Sequence, residues 1–151
     1  MHKSLYETNE LQLVELDGFI ENLCTQLQEL AAIDHRQISV TTEVSPLAIN
    51  SETAITLAML IAEAVTNAIK HAFGGRPSGR VVVRLETTNG SGTTLTIADN
   101  GVGGFAARVS NGDVGGLGGE LMQGYVRQLG GKMQVIETNG TTISIDFPNL
   151  Q

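Results

Sequence analysis

The chain has a single cysteine, Cys24, no tryptophan, and only 9 lysines and arginines against 16 acidic residues. Each scarcity excludes something. One cysteine cannot close an internal disulfide, and its place in an apolar helical pattern fits a buried thiol, so a reducing, cytoplasmic home is expected. A formal net charge of −7 argues against nucleic acid, whose phosphate backbone demands clustered cations. No unbroken apolar run approaches the roughly 20 residues that span a bilayer, because Glu63 interrupts the longest one. The N-terminal MHKSLYETNE is polar throughout and has no signal-peptide character, so no membrane contact is expected. None of this excludes a small phosphate ligand held by backbone amides and a metal ion.

What is present describes one ordinary domain. The 151 residues can bury a real core, and 41% apolar with 17% charged residues fits a globular protein. The 18 glycines are uneven, and many fall between Gly101 and Gly131, where the backbone needs freedom.

Apolar spacing predicts a helix over 17–32, carried by Phe19, Ile20, Leu23, Leu27 and Leu30. A strand is expected over 37–44, and then a second helix from Ser51, read as its cap, to Ala72. RVVVRLETT and TTLTIAD read as strands joined by the hairpin signal NGSG. Residues 101–116 show no period and read as a mobile loop. A helix over 117–129 should end at the following glycine pair. KMQVIET and TTISIDF flank Asn139-Gly140, a two-residue hairpin signal. The order predicts an α+β fold with helices on one face of a mixed, mostly antiparallel sheet.

Three segments carry chemistry. In EAVTNAIKHA, at about 100° per residue, Glu63, Asn67 and Lys70 share one stripe, with His71 at its edge. Ile61, Val65, Ala68, Ile69 and Ala72 form the opposite, core-facing stripe. An amide oxygen is a hard ligand suited to Mg²⁺, and a neighbouring carboxylate can act as a base. In DNGVGG, Asp99 ends a strand and is followed by glycines that let backbone approach a flat ligand. In GGLGGELM, glycines open a helix whose N–H groups can cradle phosphates. Each segment alone is commonplace, as a wet helix face, a turn or a flexible linker. Together, in this order, they are not.

The set resembles the Bergerat ATP-binding fold, a two-layer α/β sandwich shared by gyrase, MutL, heat-shock chaperone ATPases and histidine kinases. EAVTNAIKH is similar to its N box, DNGVG to its G1 box and GLGGELM to its G2 box. GTTISIDFP resembles the closing strand of histidine kinases, and LYETNELQLVELDGFIENLC resembles the piece that joins dimerisation helices to the ATPase domain in the second HisKA-type, HWE-related class. On this resemblance 1–16 would be the linker and 17–151 the catalytic domain.

The resemblance implies roles. ATP and Mg²⁺ would be bound, with Asn67 as the metal ligand and Glu63 as the acid that positions or activates the nucleophile. Lys70 and His71 would stand near the phosphates. Asp99 would accept from the adenine amino group, with Gly101 and Gly103 making room for the ring. Gly116, Leu117 and Gly118 would bind phosphates, Thr141 would support the adenine pocket through water, and 104–115 would be the lid. The γ-phosphate would pass to a histidine on a separate dimerisation domain and onward to a response regulator. Alternatives of the same fold are an anti-sigma-factor serine kinase and a nucleotide-binding domain without transfer. Gly119 stands where the family has leucine, the absent tryptophan removes the Trp-x-Glu motif, and no HRxKN acceptor box occurs. His35 in DHRQIS and His2 both lack an acceptor context.

Overall fold

The computed structural model describes residues 12–33, 36–88, 92–103 and 116–150. The expected lid at 104–115, the tip of the NGSG turn, His2, His35 and linker residues 1–11 lie outside the described residues. In chain order the elements are β1 (Leu13–Glu15), α1 (Leu16–Ile33), β2 (Gln37–Val44), β3 (Ala48–Asn50) and α2 (Ser51–Asn67). Helix α2 runs on into a π turn, Ala68–Ala72. Then come β4 (Ser78–Thr87), β5 (Thr93–Asp99), α3 (Gly116–Gln128), β6 (Lys132–Ile136) and β7 (Thr142–Phe147).

Five strands form one sheet in the order β2-β4-β5-β7-β6. Only the β2–β4 pair is parallel, so the expected mostly antiparallel α+β architecture is found. Alternation along the strands explains the layering. Val81, Val83, Leu85, Leu95, Ile97, Ile143, Ile145 and Phe147 are buried beneath the helices. Residues between them point to the open face, where Arg84, Thr96, Ser144 and Gln134 stand in register. A fully buried apolar side chain is worth about 1.5–3 kcal/mol, and a one-residue slip would turn the whole row to water.

The structure departs from the sequence pattern in instructive places. Helix α1 buries Leu16, Ile20, Cys24, Leu27 and Ala31, whereas Leu30 is 46% exposed because the stripe reaches Ala31 instead. Burial pushes the Cys24 thiol up to about 11. The cap of α2 is Asn50, not Ser51: its side chain accepts from the Thr53 N–H at 2.8 Å. Strands β1 and β3, too short to show a period, pair antiparallel, so the last residues of the expected linker pack with the domain. Ser51–Ala72 is apolar enough by length and composition to cross a membrane despite Glu63, but half of it is buried, as suits a core helix.

The Asn139-Gly140 signal also marks more than a two-residue hairpin. Asn139 and Gly140 do adopt positive φ, 53° and 113°. Yet β6 and β7 part after Ile136 pairs with Thr142, and the backbone of Thr141 turns to β5. There the Asp99 N–H donates to the Thr141 carbonyl at 2.9 Å.

Candidate functional site

Helix α2 lies over the ends of β5 and β7, and the wall it presents is small. Ala64, Ala68 and Ala72 recur one turn apart and, with Asn67, face Ile97, Asp99, Thr141 and Ile143 across a narrow cavity. The enclosed space is about 10 Å³, enough for a single water. Alanines leave a flat apolar wall where larger side chains would fill the gap.

The polar end of the cavity is fixed by backbone. Asp99 Oδ1 accepts from the Gly101 N–H at 2.9 Å and from the Thr141 N–H at 3.2 Å. That oxygen is committed, which leaves Oδ2 to face a ligand. Thr141 is 3% exposed, and its hydroxyl has no hydrogen-bond partner among the described residues. A buried hydroxyl of this kind costs stability until water or a ligand satisfies it. Opposite, the Asn67 amide nitrogen reaches Met122 Sδ of α3 at 3.6 Å, which turns its oxygen away from that sulfur. The flat apolar walls, a held carboxylate and an orphan hydroxyl fit the edge of an adenine ring.

Comparison with known proteins decides the family. Residues 52–151 match the model of the histidine kinase-, DNA gyrase B-, and HSP90-like ATPases. The chain belongs to this ATPase family. A curated relative, blue-light-activated histidine kinase 2 of Erythrobacter litoralis, is 29% identical over 93 residues, covering 61% of this chain. The chain spans only 26% of that relative's length. Among solved structures, the histidine kinase domain of the Erythrobacter litoralis EL346 blue-light activated histidine kinase superposes with a TM-score of 0.76 at 25% identity. That match covers 89% of this chain and 61% of the other. The mycobacterial sensor histidine kinase MprB shares the fold, with a TM-score of 0.69 at 22% identity, covering 91% and 96% of the two chains.

In this ATPase domain, Asn67, Asp99 and Thr141 line one cavity. Ile61, Val65, Ala68, Ile69 and Ala72 are all buried, as the core stripe required. Glu63 is half-buried one turn before Asn67 but does not line the cavity. Lys70 is exposed and His71 half-exposed, and both ride on the π turn. That turn spaces its hydrogen bonds five residues apart, against the four-residue α spacing from which the stripe was read. Gly116, Leu117 and Gly118 form the start of α3.

Gly101 has a reason the sequence did not reveal. A Cβ there would collide with the Ala72 carbonyl oxygen, so the glycine lets β5's end pack against the π turn. Gly103, at φ 76°, is half-buried just beyond. Sequence reasoning also missed Ala64, Ile97, Ile143 and Met122 as site neighbours. The 64/68/72 spacing of alanines was a signal for the wall. A wider hollow of about 490 Å³ lies between α1 and the β2 edge, lined by residues such as Gln28, Glu29 and Ser39. Unlike the narrower cavity, it is not lined by Asp99, the carboxylate held by two backbone amides.

Proposed function

We propose that this ATPase domain is the phosphoryl donor of a cytoplasmic-side histidine kinase. It holds Mg-ATP and gives the γ-phosphate to a histidine on a separate dimerisation domain, from which a response regulator is served. The observation that carries the reading is the cavity between α2, β5 and β7, where Asp99 is held by two amides beside the orphan Thr141 hydroxyl. Asp99 Oδ2 accepts from the adenine amino group, and Thr141 completes the ring's surroundings directly or through water. A purine exceeds the present space, so binding widens the cavity. The backbone N–H groups of Gly116, Leu117 and Gly118 open α3 toward the phosphates, Lys70 adds positive charge, and His71 stands beside it as a further hydrogen-bonding group.

No cluster of three acidic, histidine or cysteine side chains that could cage a metal occurs among the described residues. The Asn67 amide oxygen and phosphate oxygens would hold Mg²⁺, which suits its preference for few protein ligands and retained waters. Bound there, the ion supplies charge neutralisation across the phosphates. Glu63, one turn away on the same helix, orients the incoming imidazole and takes its proton. The kinship of the two Erythrobacter histidine kinases supports transfer to histidine over serine, and the 5–24 segment supports the second HisKA-type class.

The test is radiolabelled ATP given to the chain alone and to the chain with the dimerisation domain of its parent kinase. The expected outcome is little label on the chain and acid-labile label on the added domain. Transfer should be slow without the tether that raises effective concentration. Glu63→Ala should abolish transfer and leave nucleotide binding nearly intact. Acid-stable label on a serine would replace this reading with the serine-kinase one.

A further inference from the structure

Arg36 stands just before β2, far in sequence from the cavity, yet it grips the turn beside it. Its Nη1 donates to the Ile69 carbonyl at 2.9 Å, inside the π turn. Its guanidinium carbon is 6.0 Å from the centre of the Phe73 ring, the residue that follows the turn. Phe73 is fully buried, and Gly79 packs so tightly on its ring that a Cβ there has no space. A π turn is rare, tends to occur at functional sites, and persists only where its surroundings over-determine it. Arg36 and Phe73 do so from one side. From the other, the Val102 N–H donates to the Ala72 carbonyl at 2.6 Å, and Gly101 packs on that same carbonyl. The Gly101 N–H then donates to Asp99 Oδ1. Contacts thus run unbroken from Arg36, through residues 69–73, to the carboxylate at the cavity.

We infer that Arg36 is a positioning residue for the nucleotide: by holding the π turn it sets where Lys70, His71 and the 101–102 backbone stand at the pocket. This rests on the proposed nucleotide site. A merely structural arginine is a poor account of the same facts. Arg36 Nη2 is buried and has no hydrogen-bond partner among the described residues. An unpaired buried donor of a charged group is destabilising, so an apolar chain of similar length would serve folding at least as well. What methionine could not do is hold the Ile69 carbonyl.

The experiment compares Arg36→Met and Arg36→Lys with Val126→Ala, a control that truncates a buried side chain of α3, which is not among these contacts. Three quantities are read: the thermal midpoint, Mg-ATP affinity at a temperature where every variant is folded, and the Gly101 and Val102 amide resonances without nucleotide. Arg36→Met should keep a midpoint near the parent's, shift both resonances, and weaken Mg-ATP by about three- to tenfold, within the range reached by residues that act through a packed network. Arg36→Lys, which keeps one donor but not the planar fork, should restore part of that loss. Val126→Ala should lower the midpoint and move neither affinity nor resonances. Parent-like affinity and resonances in Arg36→Met would overturn the inference, as would equal changes in Val126→Ala. If the parent bound no nucleotide, the proposed function would fall, while the Val102 resonance would still decide the role of Arg36 in holding the turn.

Discussion

In the proposed site Asp99 would divide its two oxygens between the protein and the ligand, and that division makes the role testable without unfolding the domain. In Asp99→Asn the retained oxygen can still accept from the Gly101 and Thr141 amides, while the position facing the ring becomes an N–H₂ donor opposite the adenine amino group. A charge-assisted hydrogen bond is worth about 1.5–3 kcal/mol, so ATP affinity should fall about tenfold or more with little change in thermal midpoint. Calorimetry beside a melting curve checks both. Equal ATP affinity would remove Asp99 from the ligand. At this scale the sequence was informative wherever a polar side chain stood out: Asn67, Asp99 and Thr141, which line one cavity, could each be singled out from its motif. It was silent where the reason is a contact. Nothing in DNGVGG tells that Gly101 is needed for the Ala72 carbonyl, because that approach exists only after helix and sheet have packed.

Elements show the same divide between local and tertiary causes. The core period of α2 and the alternation of β4, β5 and β7 are local patterns, and the structure follows them. The π turn is not local. Ala68–Ala72 reads as plain helix, and only the packing of Phe73, Arg36 and Gly101 around it calls for the wider spacing. Gly101→Ala should therefore destabilise the domain by about 1–3 kcal/mol, the usual cost of overpacking, because its Cβ meets backbone that cannot rotate away. Urea denaturation measures this, and an unchanged midpoint would show that the packing is loose. The start of α2 offers a second test. Asn50→Ala removes the oxygen that accepts from Thr53 and should cost about 0.5–2 kcal/mol, whereas Ser51→Ala should change little. The reverse order would restore Ser51 as the cap.

For the whole molecule, the succession of helices and strands was legible because each long element carries its own period. The β1–β3 pair and the swing of Thr141 from its hairpin to β5 were not, since both are set by partners distant in sequence. The architecture gathers Asn67 from a helix, Asp99 from one strand end and Thr141 from another around one small space. The claim on which the rest depends is that ATP enters there. Titrating ATP with Mg²⁺ into isotope-labelled protein and following every backbone amide tests it most directly. The expected result is saturable shifts centred on Ala64, Asn67, Ala68, Asp99, Gly101 and Thr141, with those at 25–32 nearly still. Shifts centred on the hollow between α1 and β2, with Asp99 and Thr141 unmoved, would contradict it.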